Sequence, residues 1–279
     1  MPRSPPHPES ARERENVVIP AAQDRTILSR FEIKYLVSPH LAPAIRRHIG
    51  TFLRPDVFTV RRKELQYPLC SLYLDTADLK LCKMTLDGNK NRFKLRIRSY
   101  SDDPLDPVYF EVKRRVDRII LKRRAAVDRS HIPSILAGRL PPDGAVAPKA
   151  REALDEFCRL TIAHRMHPVT LIRYQREAYE TPRAEPLRIT FDTAVAFKLS
   201  SEPVVSLGGD GWTPTPVEAT ILEVKFNHYF PSWIGEMVRM FELQQVSVAK
   251  YVRSMTKAGT ERLVPPGPRP PARQPTWMD

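Results

Sequence analysis

Three triplets in this chain repeat one pattern: Glu32-Ile33-Lys34, Glu111-Val112-Lys113 and Glu223-Val224-Lys225. In an extended chain successive side chains point to opposite faces. Acid and base therefore share one face, and the apolar residue between them turns away. The run Lys94-Leu95-Arg96-Ile97-Arg98 does the same with three cations. Arg188, Thr190 and Asp192 share a face opposite Leu187, Ile189 and Phe191, and Tyr174 shares a face with Arg176. Together these polar faces carry Lys34, Lys94, Arg96, Arg98, Lys113, Lys122, Arg176, Arg188 and Lys225 against Glu32, Glu111, Asp192 and Glu223. A salt-bridge ladder on a half-solvated sheet explains any single triplet. It does not explain the excess of cations, which repel one another unless an anion lies among them. The chemistry that fits is polyanion handling. Basic groups clamp phosphoryl oxygens, and a few carboxylates hold a divalent metal.

The elements that must position these residues alternate with period two, so they are strands. The expected strands run over residues 27–37, 69–75, 92–127 in several passes, 168–180, 187–197 and 220–229, with Val116-Asp117-Arg118 as a reversal. Their apolar faces need cover. Helical patterns at about 38–52, 77–86, 149–163, 231–243 and 247–257 can supply it. In residues 149–163, Leu154, Phe157, Cys158, Leu160 and Ile162 form the expected buried side. The fold class is α+β: a closed antiparallel β-barrel of about eight strands, a tunnel with a polar lumen, clothed by helices. Residues 25–260 form the single tunnel domain. The Pro- and Arg-rich segment 1–24 and the Pro-rich tail 261–279 read as disordered.

Composition narrows the class. The 279 residues are 42% hydrophobic and 28% charged, with a formal net charge of +13. That balance favours an anionic partner. Nucleic acid ranks low, because the cations sit with acids on strand faces and no helix-turn-helix or RNP pattern appears. Gly208-Gly209-Asp210-Gly211 lacks the Gly-Lys-Ser/Thr that completes a phosphate loop. No apolar run of about 18 residues marks a membrane helix, and the N-terminus has no apolar signal core. Cys70, Cys82 and Cys158 have no metal spacing and read as reduced thiols of a cytoplasmic protein. His164 and His167 lack the acidic partners of a zinc site. His228 is either a metal contact or a surface histidine. Tyr229 and Trp233 either stack a base at the tunnel mouth or pack the following helix.

The ordered set of motifs resembles a known family. The motifs are Phe31-Glu-Ile-Lys-Tyr35, Ser71-Leu-Tyr-Leu-Asp-Thr76, Lys94-Leu-Arg-Ile-Arg-Ser-Tyr100 and Phe110-Glu-Val-Lys-Arg-Arg115. They continue with Arg173-Tyr-Gln-Arg-Glu-Ala-Tyr179, Arg188-Ile-Thr-Phe-Asp-Thr193, Ile221-Leu-Glu-Val-Lys-Phe226 and Ala249-Lys-Tyr251. From about Thr26 to Lys257 the chain resembles the VTC domain, the polyphosphate polymerase domain of the triphosphate tunnel metalloenzyme (CYTH-like) superfamily. The resemblance implies a tunnel that binds ATP and polyphosphate with Mn²⁺ or Mg²⁺. It implies phosphate-handling roles for Lys34, Arg96, Arg98, Lys113, Lys122, Tyr174, Arg176 and Arg188, with Lys250 near one mouth. Lys94 and Lys225 join them on the same faces. Glu223 is implied as principal metal ligand, with Glu32 and Glu111 as further carboxylates. Arg30 stands where the triphosphatase branch has the first acid of Glu-x-Glu-x-Lys, which resembles the polymerase branch more closely. Ala249 stands where a serine often precedes the lysine. The sequence shows no SPX domain or membrane helices, although a membrane-protein partner is compatible with the family. Three functions stay open: a polymerase extending polyphosphate from ATP, a tunnel triphosphatase, and a non-catalytic polyphosphate-binding module. Oligomeric state is not set by the sequence.

Overall fold

The computed structural model describes residues 31–117, 119–142, 144–181, 187–227 and 230–259. The expected disordered ends, His228 and Tyr229 lie outside the described residues.

The strands are β1 (Phe31–Val37), β2 (Arg54–Pro55), β3 (Tyr67–Asp75), β4 (Arg92–Ser99), β5 (Val108–Val116), β6 (Ile119–Val127), β7 (His167–Glu180), β8 (Arg188–Leu199), β9 (Thr213–Pro214) and β10 (Thr220–Phe226). The helices are α1 (Ala42–Gly50), α2 (Val57–Val60), α3 (Lys80–Leu86), α4 (Ile132–Leu136), α5 (Pro148–Ala163), α6 (Ser232–Met240) and α7 (Lys250–Lys257). One antiparallel sheet runs in the order β1-β10-β8-β7-β3-β4-β5-β6, with β2 on β7 and β9 on β8.

The sheet is strongly curled. β1 and β5 stand six places apart in that order, which in a flat sheet means roughly 29 Å at the usual strand spacing. Yet Lys113 Nζ on β5 lies 2.9 Å from Glu32 Oε2 on β1. The edge strands β1 and β6 also approach within 8 Å between Cα atoms. No ladder joins them among the described residues. The architecture is thus an open, curled half-barrel, where the sequence pointed to a closed one. Backbone pairing is set by tertiary approach of two distant segments, which no local pattern encodes.

Alternation decides what each face does. Leu95 and Ile97 are fully buried on the convex face with Val112, beneath α4 and α5, while Ile189 and Val224 are buried beneath α1 and α6. Each such aliphatic side chain contributes about 1.5–3 kcal/mol. Their neighbours Lys94, Arg96, Arg98, Glu111, Lys113, Arg188 and Glu223 take the other, concave face. The β7–β8 ladder carries an irregularity on the β8 side: residues 193–196 of β8 oppose residues 173–175 of β7, and Ala194 takes φ 51°. Within β7 alternation is unbroken, so Tyr174 and Arg176 share the concave side and Arg173 turns outward, over the Trp212 ring at 4.3 Å.

Several boundaries differ from expectation for local reasons. α1 begins at Ala42 because residues 38–41 form a turn, in which Ser38 Oγ accepts from Leu41 N. α3 begins at Lys80, after Leu79 in the left-handed region. Its first amides are capped from a distance: the Asp75 carboxylate at the end of β3 accepts from Leu81 N and Cys82 N. On α5 the buried residues are Ala153, Leu154, Glu156, Phe157, Cys158 and Thr161. Ile162, expected inside, is 60% exposed and lies over Gly138, where a Cβ would stand 2.8 Å from its Cδ1. β10 ends at Phe226, and no described helix is long and apolar enough to cross a membrane.

Candidate functional site: a cationic concave face

The concave face organises around three carboxylate centres. The first is Glu223 on β10. Its oxygens lie 3.0 Å from Lys34 Nζ and 2.6 Å from Lys225 Nζ, with Arg176 and Lys250 each at 3.7 Å. Lys34 also reaches Glu32 at 3.1 Å, so one ammonium is shared by two carboxylates. Burial alone would raise both carboxyls, but the surrounding lysines outweigh it and hold Glu32 and Glu223 well below the usual range. The second centre is Asp192 on β8, fully buried. Arg176 grips it through Nε at 2.6 Å and Nη2 at 2.7 Å, and Lys250 donates at 2.6 Å from the start of α7. The third is Glu111 on β5, also fully buried. It takes Arg96 at 2.7 Å, Lys122 at 2.6 Å and Arg124 at 3.5 Å.

Arg98 and Lys94 on this face have no direct ion pair among the described residues. Arg98 is 4% exposed, yet its partners are neutral: Nε donates to Ser71 Oγ at 3.1 Å and Nη2 to the Tyr174 hydroxyl at 3.3 Å. Lys94 has no ion pair among the described residues. Burial pushes it down to about 8, and Lys34, Lys113 and Arg92 add to that push. Neighbouring strands reinforce the excess, since the register sets Lys94 opposite Lys113 and Arg92 opposite Arg115. Like charges directly opposite are destabilising. Phenols respond to the same field. Burial opposes ionisation of Tyr73 and Tyr100, but Arg96 beside Tyr73, and Arg98 and Arg124 beside Tyr100, bring them down to about 8 and about 7.

At one end Arg188 meets Asp56 at 2.5 Å and Glu180 at 2.9 Å, with the Tyr67 hydroxyl at 3.3 Å from Nη2. Near the other, Tyr251 of α7 stacks on Tyr73 with centroids 5.0 Å apart and planes 5° apart. Its hydroxyl donates to Asp75 Oδ2 at 2.8 Å. This anchoring places Lys250 against Asp192 and Glu223.

All the site residues expected from the sequence lie on or beside this face. Glu111 is held by its own cations and not by those around Glu32 and Glu223. Trp233 lies elsewhere, on α6, stacked at 4.3 Å on the exposed ring of Phe52. Sequence reasoning passed over Arg124, Tyr73 and Asp56. Period two from Lys122 was the signal for Arg124, and from Ser71 for Tyr73. Asp56, a loop residue, carried none beyond its capping of Thr59 N.

The donor set suits a hard cation in part. Glu32 and Glu223 converge on one position, and the hydroxyl oxygen of Thr190, directly opposite Glu223 in the ladder, is buried without a hydrogen-bond partner. No three His, Cys, Asp or Glu side chains converge among the described residues. A divalent ion held here needs ligand oxygens to complete its shell, as phosphoryl groups supply.

The family model described as the VTC domain matches residues 29–258. The chain belongs to the VTC domain family. No curated protein sequence matches it. Among solved structures, this VTC domain has partial similarity to a Bacillus halodurans protein named for adenylate cyclase: 16% identity over 79% of this chain and 93% of that one, TM-score 0.44. A Pyrococcus horikoshii protein shares 12% identity over 82% and 99%, TM-score 0.41. A Vibrio parahaemolyticus protein, also named for adenylate cyclase, shares 12% over 81% and 97%, TM-score 0.40.

Proposed function

We propose that this VTC domain is a polyphosphate polymerase, moving the terminal phosphoryl group of ATP onto the end of a polyphosphate chain. The observation that carries the reading is Arg98, a buried guanidinium whose hydrogen-bond partners are all neutral, on a face where cations exceed carboxylates. A buried charge left in that state calls for an anionic ligand. Arg96, Arg98, Arg176 and Arg188 offer planar bidentate donors to phosphoryl oxygens. Lys34, Lys94, Lys113, Lys122, Lys225 and Lys250 supply compact positive charge around them, and the Tyr174 hydroxyl adds a donor. Glu223 with Glu32 holds the divalent metal, Mn²⁺ or Mg²⁺, which when bound supplies charge neutralisation between phosphates.

In the reaction a terminal oxygen of the chain forms a bond to the γ-phosphorus, and the bond from that phosphorus to the bridging oxygen breaks. ADP leaves with the electron pair. No protein nucleophile is needed, because alignment and charge stabilisation supply most of the catalysis in such transfers. Closure of the half-barrel into a tunnel belongs to this reading. The Lys113–Glu32 pair already spans the gap, and a threaded polyanion lets the product end stay aligned for the next addition.

The test is to incubate the purified protein with ATP and Mn²⁺ and resolve the product on a gel. Chains longer than the input triphosphate, with ADP released in step, support the polymerase. Free phosphate alone moves the assignment to a triphosphatase, and tight polyphosphate binding without turnover moves it to a binding module. Glu223→Gln should keep the fold and lose the response to Mn²⁺. Retention of the wild-type metal response there removes Glu223 from the metal role.

A further inference from the structure

The Arg188 end of the concave face has a second character. Four aromatic rings meet there: Phe58 of α2, Tyr67 at the start of β3, Tyr100 just after β4, and Tyr109 of β5. Centroids lie 5.9 Å apart for Phe58 and Tyr67, 6.2 Å for Tyr67 and Tyr100, and 5.6 Å for Tyr100 and Tyr109. Phe58 and Tyr100 are nearly parallel, with planes 12° apart and centroids 6.5 Å apart. Phe58 is 38% exposed, so the cluster presents an open aromatic edge to solvent.

The polar sides of these rings touch the phosphate-handling cations. Arg188 donates to the Tyr67 hydroxyl at 3.3 Å, and Arg124 to the Tyr100 hydroxyl at 3.4 Å. The Arg124 guanidinium carbon also lies 3.5 Å from the Tyr109 centroid. An aromatic platform is therefore continuous with a cationic path. Inorganic polyphosphate has no flat apolar surface to offer such a platform. A nucleoside triphosphate has both a π-face and a charged tail. We propose that Phe58, Tyr100 and Tyr109, backed by the buried Tyr67, form the nucleobase subsite of this domain, stacking the base while its phosphates run inward along Arg188, Arg124 and Arg98. The inference rests on the nucleotide-dependent reading above. Stacking accepts any base because every base has a π-face, and larger rings gain more contact. Purine nucleotides should therefore bind more tightly than pyrimidine ones.

The experiment compares two ligands on the full-length protein by calorimetry: a β,γ-imido analogue of ATP and inorganic tripolyphosphate. Phe58→Ala should weaken the ATP analogue about tenfold, in line with loss of one base–aromatic stack, and leave tripolyphosphate unchanged. Phe58→Trp should restore the analogue. Phe58 is partly exposed, so both variants are expected to fold, which circular dichroism checks. Equal loss for both ligands, or no loss for either, overturns the subsite while leaving the phosphate path intact. Failure of the wild-type protein to bind either ligand overturns the functional reading, and the subsite with it.

Discussion

Arg98 and Arg176 are both buried guanidinium groups on one face, and their environments predict opposite responses to removal. Arg176 neutralises Asp192, which is 0% exposed. Arg176→Met leaves that carboxylate to Lys250 alone, and the domain should lose about 3 kcal/mol in chemical denaturation, the scale for breaking a buried pair. Arg98 bonds to no carboxylate directly, and Glu111, on which its charge also acts, keeps Arg96, Lys122 and Arg124 without it. Arg98→Met should leave the stability of the ligand-free protein unchanged or raised, while weakening polyphosphate binding by about tenfold or more, as expected for loss of a charged hydrogen bond of ~1.5–3 kcal/mol. Equal destabilisation of the two variants would mean that the longer-range hold of Arg98 on Glu111 counts as much as a direct ion pair. Lys94 adds a pH signature. Its folded value, about 8, lies below the ordinary 10.5. Between those values the unfolded chain holds more protons, so stability of the ligand-free domain should rise with pH through that window. A phosphate beside Lys94 reverses the cause of the shift and restores its proton. Binding of tripolyphosphate at pH near 8.5 should therefore take up protons, read as a dependence of calorimetric heat on buffer ionisation enthalpy. Lys94→Met should reduce that uptake.

At the scale of elements, α7 links chemistry to packing. It has eight residues, and a helix that short depends on tertiary contacts and caps for its stability. Tyr251 supplies the contacts through Tyr73 and Asp75. The cap is weaker: Ala249 holds the extended backbone of an N-cap residue, φ −101° and ψ 94°, but has no side chain to accept from the first amides. Serine at this position can accept such a bond. Ala249→Ser should stabilise the domain by about 0.5–1 kcal/mol, visible as a raised thermal midpoint. It should also steady Lys250 against Asp192 and Glu223. A lowered midpoint would show that Ala249 packs too tightly for a hydroxyl. The reversal between β5 and β6 shows the same economy of local means: Asp117 takes φ 51°, a conformation short polar residues accept more readily than most.

For the whole molecule, the curled sheet concentrates cations that a flat sheet would spread out. On the proposed function a polyanion relieves part of the repulsion among these cations, so it should stabilise the domain. Tripolyphosphate at about 100 times its dissociation constant should add about 2.7 kcal/mol, a rise of roughly 5–10 °C in the thermal midpoint for a domain of this size. The rise should shrink in high salt, because part of the binding is electrostatic. A midpoint that does not respond to polyanion would argue against a phosphate-binding face.

Period-two alternation in Lys94–Arg98, and in the three Glu-x-Lys triplets, was enough to separate convex from concave side chains. That inference needs only strand geometry, which is local. Most strand and helix positions followed from similar local signals, with errors at ends where a distant group supplied the cap, as Asp75 does for α3. Ile162 was misplaced because its cover depends on how α5 meets Gly138. The convergence of Glu32 and Glu223 on Lys34, the separate engagement of Glu111 and the neutral hydrogen-bond partners of Arg98 were decided by the tertiary structure. So were the aromatic cluster around Phe58 and the gap between β1 and β6. Each depends on which strands become neighbours and how far the sheet curls. Pairwise distances across the concave face arise only when segments up to about two hundred residues apart are brought together, at a loop-closure cost that no single window of sequence reveals.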